Sequence, residues 1–393
     1  MQPYLCLLLY VPLTLATEAS LREFTSGNNL FTTSLYKQIT NNEKGNFLVS
    51  PLSVETILAL TQSGARDATA EEIRTALHLP NSQEKIEDAV RTLQPLLRKT
   101  DPYTLQSANK IYIKKNFEIR DEFKKVATDF DAELENIDFE QRGAAAATMN
   151  GWVEGRTNNK IKNLINAEDL DDRTRAILIN ALYFKGNWSV PFERYGTFEQ
   201  DFYKGGEDKV QVEMMHDTLY QNYYESQELG AKFLELPFEG DDVTLTVVLP
   251  NERNGLSALE SGLDKVFDAP SYDKTNVRIV LPKFKIESVV DLKTILQQLG
   301  VNKVFRDDEA DLSGIAGEKG DLIVDKVRQK TFIDVSENGV EAAAATFAVV
   351  GVPLSGTYYA VPPKEFIADH PFIFYIKVKD LVIFAGRVVD PSQ

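Results

Sequence analysis

The run Ala176-Ile-Leu-Ile-Asn-Ala-Leu-Tyr183 constrains this chain most. A strand that covers one face of a core alternates apolar with polar residues. A near-continuous apolar run instead predicts a strand buried on both faces. The chain must therefore build a central sheet with packing layers on either side, and Asn180, inside the run, must find hydrogen-bond partners there. With 393 residues, 43% of them hydrophobic, the chain can supply such a core. Strands are also predicted at Ala108–Ile119, Ala231–Leu236, Val243–Leu249, Asn276–Leu281 and Leu381–Val388. Helical spacing appears at Phe31–Ile39, at Val54–Thr61 behind Ser53 as its cap, at Glu84–Arg98 and at Asp291–Leu299. The fold class is α+β.

A net charge of −16 argues against general binding to nucleic acid or docking on anionic lipid. Tyr4 to Leu15 is apolar but too short to span a bilayer, and it ends in Thr14-Leu-Ala16, a small-x-small site. Residues 1–16 are expected to be a secretory signal, with Ala19 as the alternative cut, leaving a single domain over 17–393. Cys6, the sole cysteine, lies within that signal, so the mature chain has no disulfide, thiol nucleophile or thiolate metal site. His78, His216 and His370 are scattered, and no catalytic triad, metal-ligand set or phosphate loop is evident in the sequence.

Glu337 to Ser355 is the most unusual stretch. Its four consecutive alanines, Ala342 to Ala345, favour helix in isolation. Read with period two, Val340, Ala342, Ala344, Thr346, Ala348 and Val350 form a small uncharged face, while Glu341, Ala343, Ala345, Phe347 and Val349 form the other. The segment suits both helix and strand, and as a strand only one face fits a core.

Its start, Glu337-x-Gly339-x-Glu341 followed by alanines, resembles the reactive-centre-loop hinge of the serpins. Six other segments resemble that family in the same order: Asn46-Phe-Leu-Val-Ser50-Pro-Leu-Ser53, Asn150-Gly-Trp-Val-Glu with Thr157-x-x-Lys-Ile, Phe184-Lys-Gly-Asn-Trp188-Ser-Val-Pro-Phe, Leu281-Pro-Lys-Phe, Ala310-Asp-Leu-Ser-Gly-Ile and Phe366-Ile-Ala-Asp-His370-Pro-Phe. The resemblance implies three β-sheets, eight or nine helices and an exposed loop at about 337–361. It further implies inhibition of a serine protease by suicide substrate: the protease cuts the loop, and the hinge, Glu337 and Gly339 to Thr346, inserts into the central sheet. Ser50, Ser53, Asn180, Gln329 and Trp188 would lie where the sheet opens. Gln329 stands where many vertebrate serpins have histidine, and Val340 is more apolar than the commoner Thr or Ser. The helix around Trp152 would lie across the sheet and yield on insertion; Gly151 and Gly155 weaken it by about 1 kcal/mol each.

Val352-Pro-Leu-Ser355 looks like a reactive bond between Leu354 and Ser355, while the usual family spacing gives Pro353–Leu354. Leu354 favours a chymotrypsin-like or elastase-like protease. The hinge and Gln329 resemble arthropod haemolymph members, which implies a secreted monomer acting in immunity, melanisation or clotting. The alternative class is a non-inhibitory carrier, chaperone or storage protein. No metal or cofactor is expected, except that Lys110, Lys114 and Lys115 could meet a heparin-like polyanion. Asn187-Trp-Ser is an N-glycosylation sequon in a segment expected to be packed.

Overall fold

The computed structural model describes residues 7–393 apart from 98–100, 241, 269–270 and 342–361. The described residues hold nine α-helices: α1 (Leu7–Asn42), α2 (Pro51–Gly64), α3 (Asp67–Ala76), α4 (Gln83–Leu97), α5 (Asp121–Asp129), α6 (Arg142–Arg156), α7 (Leu256–Glu260), α8 (Leu263–Phe267) and α9 (Leu292–Gln298). The strands are β1 (Phe47–Val49), β2 (Thr104–Lys114), β3 (Ala132–Ile137), β4 (Ala176–Asn187), β5 (Thr197–Gly205), β6 (Asp208–Ser226), β7 (Ala231–Pro237), β8 (Val243–Pro250), β9 (Asp273–Pro282), β10 (Phe284–Asp291), β11 (Lys326–Ser336), β12 (Gly339–Val340), β13 (Lys364–Ile367), β14 (Phe372–Val378) and β15 (Leu381–Val388). No helix among the described residues is long and apolar enough to cross a membrane.

Nine strands form one ladder, β1-β15-β14-β8-β7-β6-β9-β13 with β5 on β6, and six form a second, β10-β11-β12-β4-β2-β3. The family resemblance counts three sheets. Here the long β6 joins two of them, pairing with β5 and β9 along most of its length and with β7 at its end.

The six-stranded sheet is central, and β4 explains why. Ile177, Ile179 and Ala181 pack with Ala145, Ala146, Met149 and Val153 of α6. Ala176, Leu178 and Leu182 instead join the larger core with residues of α1 and α2. Successive side chains point to opposite faces, so an apolar run serves two layers. Each buried Leu or Ile is worth about 1.5–3 kcal/mol.

α2 begins one turn earlier than the sequence reading placed it. Ser50, not Ser53, is the N-cap, accepting from the Ser53 N–H at 3.4 Å, with Pro51 at the helix start. Proline has no N–H to leave unpaired and its φ is preset for a first turn, so it takes that place readily.

In its lower part the central sheet pairs β11 directly with β4, in parallel, from Lys326–Ile177 to Thr331–Leu182. Above that seam β12 separates the two strands. Val340 sits opposite both Val335 and Gly186, and Gly339 opposite Ser336 and Asn187.

Candidate functional site

The seam between β4 and β11 carries the candidate site, which has an upper end filled by the start of the hinge and a middle closed by side chains. At the upper end Gly339 has φ of 136°, and an added Cβ would come 2.1 Å from the Gly186 carbonyl oxygen. Only glycine fits there. Val340 is fully buried, and it joins the same core as Leu178 and Val335.

Glu341 then turns out of the strand with φ of 51°, a conformation few non-glycine residues adopt. Its backbone N–H donates to Asp334 O at 2.9 Å. The Tyr183 hydroxyl donates to its carboxylate at 2.8 Å, and the Lys160 ammonium lies 3.5 Å away. Burial, then the hydrogen bond to Glu341, pushes the Tyr183 phenol up to about 12. The clasp therefore ties the hinge both to β4 and to the loop that follows α6.

Glu337 is anchored before the turn. Its carbonyl accepts from the Phe192 N–H at 2.9 Å, and its carboxylate meets Lys283 at 3.4 Å. Trp188 stacks on Phe238, with ring centroids 4.5 Å apart, and its indole N–H donates to Ser336 O at 2.9 Å. It thus packs the upper end, away from the middle of the seam. Asn187 spends its side-chain amide on Glu239 at 3.1 Å while its backbone pairs with Gly339. A glycan would have to be carried by that same amide nitrogen.

In the middle, Gln329 and Asn180 face each other in the parallel register. Gln329 Nε2 donates to Asn180 Oδ1 at 2.5 Å and to Ser50 O at 3.0 Å, while its Oε1 accepts from the Ser50 N–H at 2.7 Å. Asn180 Nδ2 donates to Ser53 Oγ and, at 2.6 Å, to Asn109 Oδ1. Ser53 Oγ also lies 3.4 Å from Ser107 Oγ. The structure thus brings Ser50, Ser53, Asn180 and Gln329 into one buried network. Asn109, Ser107, Tyr183 and Lys160 were missed by sequence reasoning, although polar Ser107 and Asn109 at alternate positions of a buried strand were a usable signal for the first two.

α6 and its following loop tie down both sides of the seam. Trp152 Nε1 donates to Glu133 on β3 at 3.0 Å, and Arg156 pairs with the same carboxylate. From β11, Lys330 donates to Lys162 O at 2.5 Å and Arg328 to Leu164 O at 3.2 Å. An added Cβ at Gly151 or Gly155 meets nothing within 4 Å, so close packing is not what keeps them glycine.

The lysines considered for a polyanion each have partners within the chain. Lys110 is nearly buried, 3.1 Å from Glu133 and 2.7 Å from Glu135, and lies over the Trp152 ring at 5.2 Å. Lys115 pairs with Asp138 at 2.7 Å, and Lys114 donates to Asp172 O at 2.5 Å. Carboxylates contributed by β3 and the turn after it neutralise the run. No group of three or more His, Cys, Asp or Glu that could hold a metal ion occurs among the described residues. Ala342 to Ala345, Thr346, Pro353, Leu354 and Ser355 lie outside the described residues.

A seam with a strand already started at its top and polar side chains closing its middle can do one thing readily: admit more of the strand. Known proteins share this fold and much of this sequence. The profile of the family described as serpin (serine protease inhibitor) matches residues 26–391. Alaserpin of Manduca sexta is 34% identical over the full length of both chains, and Antichymotrypsin-2 of Bombyx mori 36% identical over 92% of this chain and 96% of its own. The crystal structure of Serpin48 from the insect Tenebrio molitor superposes with a TM-score of 0.87 at 51% identity, covering 94% of this chain and 98% of that one. The chain belongs to the serpin family of serine protease inhibitors.

Proposed function

We propose that this serpin is a secreted suicide-substrate inhibitor that traps its protease when the hinge Glu337–Thr346, once cut free, fills the seam between β4 and β11. The observation that carries the reading is Val340, buried between β11 and β4 at the top of a seam whose lower half is closed by direct pairing. Extending β12 downward replaces the parallel β4–β11 pairing with two antiparallel ones, of the kind Gly339 and Val340 already make. The inhibitor contributes bait and stored free energy, and the acyl chemistry belongs to the protease.

The reactive bond is assigned to Leu354–Ser355, with Pro353–Leu354 as the alternative. Leu354 suits a chymotrypsin-like or elastase-like protease, and the names of relatives such as Antichymotrypsin-2 and Leukocyte elastase inhibitor support that class. Residues 1–16 act as the secretory signal of one domain over 17–393, and the target belongs to an extracellular cascade of immunity, melanisation or clotting. The test is incubation with chymotrypsin-like, elastase-like and trypsin-like proteases. An SDS-resistant complex and a released fragment beginning at Ser355 are expected; cleavage by all three without any complex overturns the inhibitory reading.

A further inference from the structure

The chain holds three Asn-Gly pairs, Asn150-Gly151, Asn254-Gly255 and Asn338-Gly339. Such a pair is chemically labile, because a glycine without a side chain leaves its main-chain nitrogen open access to the amide carbon of the asparagine before it. The fold treats the three differently. Asn150 lies within α6, where its Nδ2 donates to Ile165 O at 2.8 Å and its Oδ1 accepts from the Ile165 N–H at 2.9 Å. Asn254 Oδ1 accepts from the Gly206 N–H at 3.2 Å, and the Gly255 N–H donates to Glu252 O at 2.8 Å. At both pairs the reacting groups are already engaged.

Asn338 is half-buried in the two-residue turn that joins β11 to β12. Its carbonyl accepts from the Trp188 N–H at 2.9 Å, while its side-chain amide makes no hydrogen bond among the described residues. β12 is only two residues long, so few hydrogen bonds oppose its fraying.

We propose that Asn338 is a site of spontaneous deamidation, and that its isoaspartyl product displaces Val340 from the top of the seam and ages the inhibitor into a substrate. The Gly339 nitrogen bonds to Asn338 Cγ, the Cγ–Nδ2 bond breaks, and ammonia leaves with the amide proton, closing a succinimide. Water opens that ring at either carbonyl. One product is aspartate; the other, isoaspartate, carries the main chain through Cβ and Cγ. That route adds one backbone atom, about 1.5 Å, between residues 338 and 339. The seam has no slack for it: a Cβ on Gly339 would already meet the Gly186 carbonyl oxygen at 2.1 Å, and Val340 is fully buried. The loss of inhibition rests on the suicide-substrate reading, whereas the modification and the displacement do not.

Ageing the full chain in warm, mildly alkaline buffer tests it. Peptide mass spectrometry reads the amide-to-acid exchange, isoaspartyl methyltransferase labelling the linkage, and amide hydrogen exchange the state of Val340. Isoaspartate should form at Asn338 about tenfold faster than at Asn150 or Asn254, the equivalent of one hydrogen bond that must first break there. Exchange at Val340 should quicken in proportion, while exchange in β14 holds. With a protease that the fresh protein traps, SDS-resistant complex should fall by the isoaspartate fraction and plain cleavage rise. Repair to aspartate by the methyltransferase and S-adenosylmethionine should restore the complex. Asn338→Gln, compared with its own fresh sample, should age without that loss, and Asn254→Gln should age as the wild type does. Reaction at Asn150 or Asn254 as fast as at Asn338 overturns the site, and unchanged Val340 exchange in modified protein overturns the displacement. Fresh protein that traps no protease counts against the inhibitory reading alone, and the mass and exchange results still decide the other two.

Discussion

Gln329 of β11 donates its side-chain amide to Asn180 of β4 at 2.5 Å, across the line along which the central sheet must part. The same glutamine also holds both backbone groups of Ser50 at the start of α2. One side chain therefore fastens both halves of the seam to the helix beneath.

Gln329→Ala removes those bonds and strands the buried Ser50 N–H and Asn180 Oδ1. Leaving such groups unpaired costs about 1–3 kcal/mol each. The expected outcome is a lower melting midpoint and, on storage, faster loss of inhibitory activity as uncut protein closes on its own loop. Scanning fluorimetry and residual activity over time check both; unchanged values would remove this network from the account of seam closure.

Val340→Arg places a charge where the wild type is fully buried, at a cost of several kcal/mol if unpaired. The variant should be cleaved at the wild-type bond without forming an SDS-resistant complex. Val340→Thr keeps size and neutrality and should still form it. Gel analysis after incubation with protease distinguishes the two.

Tyr183→Phe and Lys160→Ala each remove one hold on Glu341. With φ of 51° at Glu341 working against the turn, the hinge should leave the sheet more often. Amide hydrogen exchange at Val340 should accelerate about tenfold, the equivalent of one charged hydrogen bond, while exchange in β14 stays constant.

Glu55 on α2 supplies a pH signature. It is fully buried, and burial pushes its carboxyl well above the ordinary carboxylate value, against a hydrogen bond from Asn28 at 2.8 Å. The native state therefore holds a proton that the unfolded chain releases near pH 4.5, so stability falls as pH rises from there to the native value. Glu55→Gln cannot titrate, and its amide oxygen can still accept from Asn28. Its advantage over wild type should be small near pH 4 and grow by about 1.4 kcal/mol for each pH unit inside the window. Denaturant unfolding across pH 4–8 measures it.

Much of the fold was legible because it rests on local period. The apolar run Ala176–Tyr183 predicted a strand with two covered faces, and β4 serves the α6 layer with its odd residues and the α2 layer with its even ones. The buried Asn180 announced that it needed partners. Their identity was not legible, because Asn109 and Gln329 arrive from strands 71 and 149 residues away in sequence. The α2 cap was misplaced by a turn because Ser50 and Ser53 are equally good capping residues, and Pro51 decided between them.

The sequence by itself determined the period-two face beginning at Val340, the glycine before it and the ordered segments of the serpin family, since these depend on side-chain size and spacing along the chain. Only the tertiary structure decided that β12 stops after two residues and that Lys110 and Lys115 meet carboxylates of β3 and its turn. Those outcomes turn on which distant groups share space. Charges and buried hydrogen bonds between remote segments leave no periodic trace in the chain that makes them.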